Sequence, residues 1–222
     1  MPSRARLRPL VAIVAAVSCF GAFSPTAAAS DGGFRIENKV FLDDEEEPRI
    51  ESTTIFHQGV VYDYLVEPAE VTVFDKAHGR FVLLDTTRRV RTELATDRLV
   101  SFGDGLRRWS QDQPDPLMKF LGSPQFEEEF DEEAGQLSFA SPWVTYRLET
   151  VDAPSQSVSR RYREFCDWYC RLNTFLNPGA RPPFARMVVN ASLAHRRRFP
   201  REVELTIRSR ENFLAKRQTI RS

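Results

Sequence analysis

From residue 34 to residue 94 apolar and polar positions alternate. Phe34, Ile36 and Val40 interleave with Arg35, Glu37 and Lys39, and Val90, Thr92 and Leu94 with Arg89, Arg91 and Glu93. Between these lie β-branched and aromatic runs at 50–57, 60–66, 71–74 and 81–84. They are separated by the charged stretch 43–48, by Gln58-Gly59, by Glu67-Pro68 and by the Gly-ended loop 75–79. A period of two, broken by turn residues at intervals of about 8–12, is the pattern of an antiparallel sheet with one buried face. It predicts six strands here.

The period then changes. Leu99, Phe102, Leu106 and Trp109 fall on one helical face, with Thr96 as N-cap, and Asp115-Pro116 opens a short second helix through Leu121. Strands return at 126–130, 137–140 and 143–150, where Val144, Tyr146 and Leu148 point one way and Thr145, Arg147 and Glu149 the other. The clearest helix covers 155–176. Val158, Tyr162, Phe165, Tyr169, Leu172 and Leu176 step by three and four, making one continuous stripe that Asn177-Pro178-Gly179 ends. Another helix is predicted at 183–197, then strands at 203–207 and 213–220. The expected fold class is α+β: a curved antiparallel sheet, an incomplete barrel of roughly 9–11 strands, packed against a few helices, one of them long.

The first residues follow a different logic. Arg4, Arg6 and Arg8 are followed by an uncharged apolar stretch, Leu10 to Phe23, then by small residues that include Ala27 and Ala29. Basic, apolar, then small is the order of a secretory signal, and an apolar run shorter than about 20 residues does not span a bilayer as a helix. Residues 1–29 are read as a signal cleaved after Ala29, and 30–222 as a single β-rich domain. An uncleaved anchor and a lipoprotein signal modified at Cys19 are the alternatives. The expected location is periplasmic or secreted, with no transmembrane segment after cleavage.

Composition narrows the function. Removing the three leader arginines leaves 28 basic against 31 acidic residues, about −3 in charge, which disfavours nucleic acid as a partner. Seventeen Phe against ten Gly point to a well-filled interior. Only Cys166 and Cys170 remain of the cysteines, too few for a disulfide framework. They lie one helical turn apart, are neither C-x-x-C nor C-x-x-C-H, and read as packing thiols before a metal or redox pair. The acidic runs 43–47, 127–129 and 131–133 lack the spacing of a calcium loop and read as charged turns and edges. No G-x-S-x-G, S-x-x-K or H-E-x-x-H occurs, and His57, His78 and His195 are scattered. Arg196-Arg197-Arg198 reads as a solvated helix end. Asn190-Ala191-Ser192 matches a glycosylation acceptor but falls inside a predicted helix. Neither catalytic residues, nor metal ligands, nor cofactors are assigned.

The order of elements over most of 34–220 is a strand meander, a helical insertion, more strands, a helix and final strands. It resembles the LolA-like fold, the family that includes periplasmic lipoprotein carriers. The resemblance is architectural and carries no functional residue across. It implies an apolar cavity between a curved sheet and helices. The expected function is then a non-catalytic envelope protein binding a lipid or lipoprotein acyl chain, with Tyr62, Tyr64, Trp109, Val144, Tyr146 and Leu148 as wall residues. Two alternatives stand beside it: an interaction or sensor module with a filled core and an envelope protein as partner, and a hydrolase with an unrecognised site.

Overall fold

The structure, a computed structural model, describes residues 33–43, 45–211 and 214–221. The expected leader and the start of the predicted last strand lie outside the described residues. Eleven strands form one antiparallel sheet: β1 (Phe34–Leu42), β2 (Ile50–His57), β3 (Val60–Leu65), β4 (Glu70–Asp75), β5 (Arg80–Asp85), β6 (Val90–Ala95), β7 (Glu127–Asp131), β8 (Gln136–Ala140), β9 (Val144–Asp152), β10 (Arg198–Glu211) and β11 (Leu214–Arg221). Their spatial order is 6-5-4-3-2-1-11-10-9-8-7. The sheet is curved and open, with β6 and β7 at its edges. Four helices pack against it: α1 (Thr96–Asp112), α2 (Pro116–Gly122), α3 (Gln156–Leu176) and α4 (Phe184–His195).

The topology explains why the helices share one face. Strands β1–β6 meander outward from the middle of the sheet. The α1–α2 segment then carries the chain across to the opposite edge, where β7 begins, and β7–β11 meander back. The α3–α4 pair is an excursion between neighbours β9 and β10. Strands β1 and β11 overlap only at their ends, through Phe41–Arg221 and Leu42–Ile220. The two halves of the sheet are thereby staggered.

Each half has its own core. Ile36, Phe56, Phe74 and Phe81 pack under α1 and α3 against Leu99, Phe165 and Leu172. Val144, Tyr146, Leu148, Val203 and Leu205 pack under α2 and α4 against Leu121, Val189 and Leu193. The long α3 begins as its sequence directs, with the Ser155 hydroxyl accepting from the Val158 N–H at 3.2 Å. At α2 the Asp115 carboxylate accepts from the Leu117 N–H at 3.0 Å.

Three local readings are corrected. Ala95, not Thr96, caps α1, and the Thr96 hydroxyl instead donates to the Gly79 carbonyl at 2.9 Å, tying the helix start to the β4–β5 hairpin. α4 ends at His195, because Arg197 takes a left-handed φ of 55° and turns the chain directly into β10. The basic cluster does stand at the end of α4, with Arg196 at the C-cap and Arg196 and Arg197 exposed, and two of its members also find partners on the sheet. Arg196 pairs with Glu128 on β7 at 2.8 Å, and Arg198 bonds the Thr150 hydroxyl at 3.0 Å and pairs with Asp152. β10 also begins before the predicted 203–207 strand, crossing Pro200 through a register shift that accommodates the missing N–H.

Candidate functional site

The helix layer does not cover the concave face completely. Strand alternation turns Val61, Asp63 and Leu65 of β3, Thr72 of β4, Leu83 of β5 and Thr92 of β6 towards the helices. Phe74 and Phe81 stack on each other and fill the space beneath the middle of α3, where Phe74 meets Phe165 and Trp168. Further along, the same rows meet Leu172 and Leu176 across a groove of about 330 Å³, whose rim carries Glu70, Asp85, Arg88 and Asn177. Burial and the neighbouring Asp85 raise the Glu70 carboxyl above the usual carboxylate range, with Arg88 opposing.

A second, smaller cavity of about 40 Å³ lies where the two cores meet. Its wall includes Val144 and Tyr146 of β9, Leu205 and Ile207 of β10, Cys170 and Thr174 of α3, and Pro182, Pro183 and Arg186 at the start of α4. Tyr169 and Asn173 of α3 line both spaces. The Tyr169 ring is anchored from the sheet side by a hydrogen bond to Asp63.

Asp63 is the centre of a polar group inside the first sheet half. It is only 3% exposed and accepts a 2.6 Å bond from the Thr54 hydroxyl. Thr54 in turn accepts from Asn38 Nδ2 at 3.3 Å, and the same nitrogen reaches the Ser52 hydroxyl. Burial raises the Asp63 carboxyl above the usual range, while bonds from Thr54, Tyr169 and Ser52 pull the other way. Burial, reinforced by Asp63, raises the Tyr169 phenol well above its usual value.

Arg186 is a buried charge of the opposite sign. Its residue is 2% exposed, and neither Nη1 nor Nη2 has a hydrogen-bond partner. Its near neighbours are Tyr162, Tyr146, Cys166 and Cys170. Burial pushes the Cys170 thiol up to about 12 and the Cys166 thiol and Tyr146 phenol higher still, so these groups are neutral at neutral pH. The nearby Asp167 carboxylate on α3 is taken by Asn190 Nδ2 at 2.8 Å and by Arg163 at 3.5 Å. An arginine side chain keeps its charge in proteins, and an uncompensated buried charge is costly.

The six residues expected to form one wall are dispersed. Val144 and Tyr146 line the small cavity, and Leu148 is buried in the same core. Tyr62 and Tyr64 alternate with the inward Val61 and Asp63 and therefore lie on the outer face, Tyr64 with 41% of its surface exposed. Trp109 sits on α1 with 47% exposed, and its neighbour Ser110 makes the buried contact. The signal that would have found the groove was the α3 stripe, which ends in Leu172 and Leu176. Arg186 carried no sequence signal, since a single arginine near a helix start is ordinary.

The remaining candidates resolve simply. Cys166 and Cys170 are free thiols, and among the described residues no group of three His, Cys, Asp or Glu side chains is placed to hold a metal. His57 and His195 are exposed, and His78 Nδ1 pairs with Asp75 at 2.7 Å in the β4–β5 hairpin. That contact holds the Asp75 carboxyl below its usual value. Asn190 is buried and spends its amide on Asp167. Among the described residues no helix is long and apolar enough to cross a membrane. Comparison with protein-family models, with curated proteins and with solved structures finds no match to this chain.

Proposed function

We propose that this chain is an exported, non-catalytic binder of a hydrophobic ligand, a lipid or a lipoprotein acyl chain, held between the sheet and α3. The observation that carries this reading is the apolar groove under the C-terminal half of α3. It is of ligand-pocket size, which begins at about 300 Å³, and Leu65, Leu83, Leu172 and Leu176 supply its apolar lining. Leu83 packs against the first core but is only partly buried, whereas Phe74 and Phe81 are fully buried, so the space opens along this row at Leu83. The likeness of the element order to lipoprotein carriers, and the leader-like start of the chain, favour the same reading.

The test is direct. The protein, purified without detergent or denaturant, is sprayed under native conditions and examined for bound lipid. The delipidated protein is then titrated with a fluorescent fatty acid. Leu176→Arg, at the rim of the groove, should weaken binding at least tenfold while leaving the circular dichroism spectrum unchanged. Equal affinities for the two proteins, or no binding by either, would sink the reading.

A second reading, a protein-interaction module, draws on a different observation. On the outer face, Ile55, Tyr62, Val73 and Val82 lie opposite one another across β2–β5 as an apolar row, partly exposed at all but Val82. Capture of an envelope protein through Tyr62 and Tyr64, with no lipid bound, is the outcome that favours it.

A further inference from the structure

We propose that Arg186 is the anchor of a carboxylate site, and that the ligand of the groove is a free fatty acid whose head group enters the small cavity. The inference rests on the lipid-binding reading and adds the chemistry of the head group to it.

Four observations converge on the cavity. Arg186 is buried at the seam between the two cores, and its Nη1 and Nη2 donors are both unused. Tyr146, Cys166 and Cys170 beside it have their ionisation suppressed by burial and bring no negative charge at neutral pH. The cavity also lies at the N-terminal end of the twelve-residue α4, which has no side-chain cap and no acidic residue in its first turn. A helix N-terminus presents unpaired N–H groups and the positive end of the dipole. Finally, Arg181 adds a second cation to the wall. The local field favours an anion, and the nearest carboxylate, Asp167, is engaged by Asn190 and Arg163.

Size and shape choose among anions. The cavity of about 40 Å³ is small, a few times the roughly 10–15 Å³ that a single water needs. A carboxylate is planar and presents two oxygens, which match the two parallel donors of a guanidinium. A phosphodiester with its glycerol is too large for the space. The rest of the wall is apolar, with Val144, Leu205 and Ile207 facing the head group, which suits the first methylenes of a chain. The chain then passes Tyr169 and Asn173, the two residues common to cavity and groove, and lies along Leu172 and Leu83. The bond from Tyr169 to Asp63 holds the phenol ring at that passage.

The experiment compares hexadecanoate with hexadecanol on the delipidated full chain, using isothermal titration calorimetry. The wild-type protein should prefer the carboxylate at least tenfold. Arg186→Met should lose the preference, and Arg186→Lys, with charge but no fork, should retain part of it. Equal wild-type affinities for acid and alcohol overturn the head-group site and leave the groove reading standing. Binding of neither overturns the groove reading, and the head-group site is then judged by butyrate, which needs no groove. Butyrate should raise the melting temperature of the wild type and not that of Arg186→Met. An identical response of the two proteins refutes the site. Should Arg186→Met fail to fold, the comparison is made with Arg186→Lys, whose undiminished acid preference and butyrate response would likewise refute the bidentate geometry.

Discussion

At Asp63 a carboxyl group sits under α3 with three hydroxyl donors and no cation among the groups that shift it. Its native pKa is raised mainly by burial, so the folded state binds its proton more tightly than the unfolded chain does. Stability from this group is therefore fully present below the ordinary carboxylate value and is lost as pH rises through the raised native value. Asp63→Asn cannot ionise. Its melting temperature relative to the wild type should improve as pH is taken from about 4 to about 7, a trend that differential scanning calorimetry across that range will show. An unchanged difference would mean that the carboxyl is not perturbed. Little of this was legible along the chain, where Asp63 reads as one polar residue between two tyrosines. The alternation correctly separates it from Tyr62 and Tyr64 but does not say which set faces the helices. Asp63 lies inward because Thr54 on the neighbouring strand gives it a partner there, with Asn38 supporting Thr54 from the next strand, and cross-strand neighbours are set by sheet register.

Helix α1 shows the same division one level up. Its stripe of Leu99, Phe102, Leu106 and Trp109 predicted a helix, and a helix is there. Its last turns, however, bury Ser110, in one straight row with Leu99 and Gly103, and leave Trp109 turned outward. The cause is the close crossing with α2. A Cβ added to Gly122 would lie 2.6 Å from the Cβ of Ser110, so only small residues fit where the two helices meet. Gly122→Ala should cost about 1–3 kcal/mol, the usual range for overpacking, despite the better helix propensity of alanine. Urea denaturation monitored by circular dichroism measures it, and a variant as stable as the wild type would show that the crossing relaxes. The caps of α2 and α3 were legible because a cap is a contact between residues two or three apart. The α1–α2 crossing was not, since Ser110 and Gly122 become neighbours only after the chain has turned between the two helices.

The whole molecule is a staggered open sheet with two cores on one face, joined by α3 packing on α4. Leu205 belongs to one core and lines the cavity at the seam. Leu205→Ala should cost about 2–5 kcal/mol, as other buried leucine truncations do. Both halves should still unfold in a single transition, because α3 and α4 bind them together. Tryptophan fluorescence, which reports Trp168 over the first core and Trp143 beside the second, and far-ultraviolet circular dichroism should give coincident curves. Two separated transitions would show that the halves are independent. The sequence by itself determined the strand pattern, most of the helices and the open α+β class, since each follows from periodicity and from residues close together along the chain. It also marked the α3 stripe that ends over the groove. Only the tertiary structure decided which face of each strand is inner, where the helices stand off the sheet, and that Arg186 is buried without a counter-charge. These depend on which distant segments meet, and a hydrophobic pattern states that a surface must be covered without stating what covers it or how closely.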